Sequence, residues 1–68
     1  MRNKVEAFRK VQQINQDELA KTMKVSRQTI SSIENGRYNP SVTLAFKLAK
    51  YFNVSIETLF EFEEESNE

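Results

Sequence analysis

The 68-residue chain contains no cysteine and no histidine, one glycine and one proline. Without thiols or imidazoles, disulfides, cysteine nucleophiles, histidine general bases and thiolate or imidazole metal sites are excluded, and most enzyme classes go with them. Neither a cofactor nor a metal is expected. No apolar run is long enough for a signal peptide or a bilayer span, and the start, Met1-Arg2-Asn3-Lys4, is polar. The expectation is a complete cytoplasmic protein with no membrane partner. Net charge is also missing, because ten Lys and Arg balance ten Asp and Glu. The zero hides an asymmetry: residues 1–60 carry ten basic and five acidic side chains, or +5, and the last eight carry five glutamates, or −5. A basic body leaves an anionic partner open. The length allows one small domain with a limited core, for which self-association is an expected source of stability.

What is present is helical punctuation. Over residues 3–12, Val5, Phe8 and Val11 recur every third position between charged residues, which predicts a first helix. Asn15 with Glu18 three residues on reads as a capping box opening a second helix, with Leu19, Ala20 and Met23 on its inner face. Only Lys24 and Val25 separate it from Ser26, the N-cap of a third helix that buries Ile30 and Ile33 and stops at Gly36, where a left-handed residue is needed. Residues 37–40 form a loop, since Pro40 disfavours helical geometry at Asn39. Ser41 caps a fourth helix running to about Phe52 with the stripe Leu44, Ala45, Leu48, Ala49 and Phe52, and Ser55 caps a short fifth carrying Ile56, Leu59 and Phe60. Residues 60–63 alternate apolar and acidic, a pattern that allows a short strand pairing with residues 1–3. The fold class is all-α, a compact five-helix domain over residues 1–62 with that terminal β-ribbon open. Residues 63–68 form an acidic tail expected to be disordered.

Two short helices joined by a tight turn, the second opening on long polar side chains, suit a helix that crosses DNA and presents the next to the major groove. Over residues 16–35 and beyond, the chain resembles the Cro/C1-type helix-turn-helix family, also called the xenobiotic response element family. The resemblance rests on Ile14-Asn15-Gln16-Asp17-Glu18-Leu19-Ala20, on Val25-Ser26-Arg27-Gln28-Thr29-Ile30-Ser31-Ser32-Ile33-Glu34-Asn35-Gly36-Arg37, and on Pro40-Ser41 with Val54-Ser55-Ile56-Glu57-Thr58-Leu59-Phe60. It implies a lambda-repressor-like fold and a minimal stand-alone regulator, similar to the small cytolysin-repressor-like proteins. Lys24 departs from the pattern, standing where the family often has Gly. A left-handed Lys there costs about 1 kcal/mol.

The resemblance makes the third helix the recognition helix, with Arg27, Gln28, Ser31 and Ser32 at base edges. The chemistry agrees: Arg forks onto guanine O6 and N7, Gln onto adenine N6 and N7, and Ser donates or accepts. Asn39 is a further base-reading candidate, with a pre-proline turn residue as its plain alternative. The resemblance makes Gln16 a phosphate ligand at the start of the second helix. Ser26, Thr29, Asn35, Arg37 and Tyr38 complete the expected phosphate set, with Tyr38 equally readable as a loop-packing ring. Arg9 and Glu34 match a pair that in relatives bridges the first helix and the end of the third. Lys47 and Lys50 read most simply as solvated charges.

One such module contacts few bases, whereas a two-fold dimer reads two half-sites about 34 Å apart. Ile56, Leu59, Phe60 and Phe62 are assigned to that interface, with ordinary core as the rival reading of all four, evenly matched for Leu59 and second to the interface for Phe62. The expected function is sequence-specific binding of double-stranded DNA as a homodimer, repressing transcription by occluding a promoter at an inverted-repeat operator. The alternative is an antitoxin-like protein-interaction module that exposes Phe46 and Tyr51 to a protein partner. An enzyme would have to work from Asp, Glu, Lys and Tyr with no evident cleft.

Overall fold

The computed structural model describes residues 2–61 as β1 (Arg2–Asn3), α1 (Val5–Val11), α2 (Gln16–Met23), α3 (Arg27–Glu34), α4 (Val42–Phe52), α5 (Ile56–Leu59) and β2 (Phe60–Glu61). Each helix after the first starts on the polar residue expected to cap it. Asn15 accepts from Glu18 N–H while the Glu18 carboxylate accepts from Asn15 N–H, a complete capping box. Ser26, Ser41 and Ser55 accept from Thr29, Leu44 and Thr58 N–H in turn.

Helix ends close on left-handed residues, and only one of them is glycine. Lys24, Gly36 and Asn53 have φ of 63°, 79° and 61°. In each case the residue beyond donates five positions back: Val25 to Ala20, Arg37 to Ser32 and Val54 to Ala49. Gln13 adds a fourth left-handed residue, φ 60°, in the α1–α2 turn.

The core is assembled from Val5, Leu19, Ala20, Met23, Ile30, Ile33, Leu44, Leu48, Ala49, Phe52, Leu59 and Phe60, with Phe8, Ile14 and Val25 packed against it. Phe8 meets Phe52 with ring centroids 5.8 Å apart. α1 departs from its expected face, since Val11 is 79% exposed. Three-residue steps lag the helical period by about 60° each, so Val11 has rotated off the Val5 face, whereas Arg9, four after Val5, stays on it and is buried. The helix also begins at Val5 rather than Asn3, because Asn3 belongs to β1 and its carboxamide oxygen accepts from Val5 N–H.

The terminal ribbon forms in the expected place. β1 pairs antiparallel with β2, Arg2 opposite Glu61 and Asn3 opposite Phe60, and Lys4 N–H adds a bond to Leu59 O. This pairing corrects part of the interface assignment. Leu59 is fully buried and Phe60 is 1% exposed, because docking α5 and β2 beneath β1 turns both side chains into the core. Neither is accessible to a second chain. Ile56 stays half-buried, and Phe62 lies outside the described residues.

Candidate nucleic-acid interface

The α2–α3 unit is held by apolar contact on one side, which leaves its polar side outward. Leu19, Ala20 and Met23 of α2 and Ile30 and Ile33 of α3 are buried together. On α3 the opposite face carries Arg27 and Gln28, both exposed, and Ser31 and Ser32, both half-buried. Spacings of three and four place these four on two adjacent turns of one helix.

Two shallow depressions flank the start of α3. One is lined by Ser26, Gln28, Thr29, Ser32 and Tyr38. Its floor is organised by hydrogen bonds: Ser26 Oγ lies 2.9 Å from Thr29 Oγ1, and Ser32 O accepts from the N–H groups of both Arg37 and Tyr38, which draws the loop after α3 back over the helix. The second is lined by Arg9, Asn15, Gln16, Asp17 and Arg27, and so joins the start of α2 to the start of α3. The N–H groups of Gln16 and Asp17 precede the first intrahelical bond of α2, made by Leu19 N–H to Asn15 O. Asn15, Gln16 and Asp17 thus bring the start of α2, the positive end of its helix dipole, to this depression.

Beneath the second depression lies a buried ion pair. Arg9 Nε donates to Glu34 Oε2 at 2.8 Å and Arg9 Nη2 to Oε1 at 3.2 Å, with the two side chains 10% and 4% exposed. The third guanidinium arm donates to Ile14 O at 3.0 Å. The Glu34 hydrogen bonds push the Arg9 guanidinium above its ordinary value against the opposing effect of burial, so it stays cationic. Gln16 Nε2 also donates to Glu34 Oε1, at 3.0 Å.

A family model described as Helix-turn-helix matches residues 5–59. An uncharacterized HTH-type transcriptional regulator of Methanocaldococcus jannaschii is 49% identical over 65 residues, covering 96% of this chain and 98% of that protein. The chain belongs to the Cro/C1-type helix-turn-helix family. The chain is similar as well to YgzD of Bacillus subtilis, an uncharacterized HTH-type transcriptional regulator 42% identical over 66 residues, covering 97% of this chain and all of that protein. The ImmF control region 10 kDa protein of Bacillus phage phi105 is 39% identical over 51 residues, 75% of this chain and 57% of that protein. The family is one of DNA-binding transcriptional regulators, a non-enzymatic class.

Within the helix-turn-helix, Ser26, Gln28, Thr29, Ser32 and Tyr38 come together in one depression, and Gln16 and Arg27 in the other. Ser31 sits on the same outward face as Gln28. Arg37 and Asn39 are exposed in the loop beyond α3 but line neither depression, and Asn35 lines a third one with Arg2, Asn3, Glu34 and Gly36. The Arg9–Glu34 pair is present and links α1 to the last residue of α3. Reasoning from sequence missed three features. Lys47 is more than a solvated charge, since its ammonium donates to Met23 O at 2.9 Å and caps the end of α2. That bond joins positions 24 residues apart, so nothing local to Lys47 announces it. Glu34 holds Gln16 as well as Arg9, and Arg9 itself lines the Gln16 depression. No helix of the described residues is long and apolar enough to cross a membrane.

Proposed function

We propose that this regulator represses transcription by binding an inverted-repeat operator as a homodimer and excluding polymerase. The observation that carries the reading is the first turn of α3, where Arg27 and Gln28 stand exposed on a helix whose other face is locked into the core. That arrangement offers two side chains capable of bidentate base contacts on a rigid support. Ser31, Ser32 and Asn39 extend the base-reading set. Gln16, Ser26, Thr29, Asn35, Arg37 and Tyr38 supply backbone contacts that fix register.

The interface between subunits is assigned to the α4–α5 side. An open groove there is lined by Phe46, Ala49, Lys50, Val54, Ser55, Ile56 and Glu57. Phe46 is 60% exposed and Val42, one turn before it, 72%. A two-fold axis makes an interface self-complementary, so Lys50 of one copy can meet Glu57 of the other across the apolar strip.

Selection of bound sites from a random DNA pool, at a stated moderate salt, tests the whole reading. The expected product is an inverted repeat with half-sites about one helical turn apart. Affinity should fall with salt with a log–log slope of about −0.9 per phosphate neutralised. No enrichment overturns direct operator binding. The exposed Phe46 also favours a second reading, an antitoxin-like module that engages a different protein through this groove. Tyr51 supports it less, being half-buried with its ring 5.1 Å from that of Phe52. A co-purifying partner without specific DNA binding would select that alternative.

A further inference from the structure

We infer that Glu34 is a positioning residue for the DNA backbone: it grips one N–H of the Gln16 carboxamide so that the other is presented, together with the Gln16 and Asp17 backbone N–H groups, to a phosphate. The inference rests on the DNA-binding reading above and assigns a role to a residue that touches no DNA itself.

The carboxamide nitrogen carries two hydrogens about 120° apart. One is committed to Glu34 Oε1 at 3.0 Å, and the second has no partner among the described residues. Gln16 lines the depression that also contains Arg9 and Arg27, so the second hydrogen has that depression as its open side. Gln16 is the first residue of α2, and Asp17 after it lines the same depression. The held carboxamide and the first N–H groups of α2 thus belong to one helix start, where backbone donors precede the first intrahelical bond.

A carboxylate this close to a phosphate would normally repel it. Arg9 removes the objection by taking both Glu34 oxygens in a side-on fork, and its remaining arm is fixed to Ile14 O. The ion pair is sunk beneath the surface, with side chains 10% and 4% exposed. Glu34 therefore acts as a neutralised acceptor. An unrestrained glutamine at a helix start would lose its rotamer freedom on binding DNA, and here that ordering is complete beforehand. Because Glu34 ends α3 and Gln16 begins α2, the same bond ties the phosphate contact to the helix that bears Arg27 and Gln28.

The test measures binding to a fluorescent duplex of arbitrary sequence at low salt, for the full chain, Glu34→Leu, Gln16→Ala and the double variant. Glu34→Leu removes the acceptor of the Gln16 bond and also removes one negative charge, which by itself strengthens DNA binding. The expected result runs against that charge: a loss of about three- to tenfold for Glu34→Leu from the lost pre-ordering, and no further loss when it is added to Gln16→Ala. Unchanged or tighter binding by folded Glu34→Leu, or an equal loss in both backgrounds, overturns the inference and leaves the DNA-binding reading standing. Failure of the unmodified chain to bind any duplex overturns both. A second measurement needs no variant: in side-chain amide NMR, one Gln16 proton should be protected in the free protein, and DNA should shift the other while leaving that one in place. Release of the protected proton on adding DNA also overturns the inference.

Discussion

Replacing Phe60 separates two roles that a late aromatic residue can have in a small domain. Phe60 is 1% exposed and sits beside the fully buried Leu59. Truncation to alanine in such a site costs about 3–5 kcal/mol, combining lost transfer energy with the cavity left behind. A domain of this length has roughly 3–10 kcal/mol in total, at 0.05–0.15 kcal/mol per residue. Phe60→Ala should therefore remove from about a third to all of the stability and lower Tm by about 12–40 °C, at 4–8 °C per kcal/mol. Phe46→Ala is the matched control. Its ring is 60% exposed, so its effect on monomer stability should stay within about 0.5 kcal/mol. The assay pairs circular dichroism melts with sedimentation velocity across a concentration series. Phe60→Ala should melt early at every concentration, and Phe46→Ala should melt nearly normally but sediment as monomer. If Phe60→Ala kept its Tm and only dissociated, burial of that ring within one chain would be refuted.

Further outcomes follow from other sites. Arg27→Ala and Gln28→Ala should each cost about 1–3 kcal/mol at a single operator position with the melt unchanged, and equal losses on all sequences would contradict base reading. Lys24→Gly should stabilise by up to about 1 kcal/mol, because φ is 63° there, and an unaltered or lower Tm would mean that the Lys side chain offsets its strain. The Lys10 ammonium, 3.0 Å away, hydrogen-bonds the Glu6 carboxylate and holds its pKa below 4.5, so its contribution is present above that value and lost as pH falls through the lowered one. Glu6→Gln should accordingly flatten the low-pH loss of Tm at low salt, and a steeper loss would reverse the assignment. Deleting residues 62–68 removes four glutamates and takes the net charge from 0 to +4, which should tighten binding to arbitrary duplex in a salt-dependent way. Equal affinity at low salt would place those charges out of reach of the bound DNA.

Caps were the most legible part of the fold, because a capping side chain answers a need only a few residues away. Asn15, Ser26, Ser41 and Ser55 each bond the N–H three positions on, and nothing distant alters that. Side-chain direction was harder to read wherever the repeat was ambiguous. Val5, Phe8 and Val11 suit a helix, yet the three-residue spacing lets Val11 drift to solvent while Arg9 takes the inner place, a charge buried only because Glu34 waits for it on α3. The same long-range dependence decided Leu59 and Phe60. Whether a late aromatic faces the core or a partner turns on how its segment is docked, and β2 is docked by pairing with a two-residue strand from the other end of the chain.

In the site, the same distinction separates what could be read from what could not. The outward residues of α3 follow from helical period once Ile30 and Ile33 are taken as core, and burial agrees. The Arg9–Glu34 pair was reachable through the family resemblance alone, since the two residues lie 25 positions apart. No local signal marks Gln16 as the third member of that network, or Lys47 as the cap of α2, because each bond joins helices whose crossing geometry exists only after packing. These long-range polar bonds sit at both ends of α2: Glu34 at its start through Gln16, Lys47 at its end through Met23 O. The element that would rest on the DNA backbone is therefore clamped at each terminus by a different neighbour, so that its position relative to Arg27 and Gln28 depends on tertiary contacts rather than on the short turn at Lys24 alone.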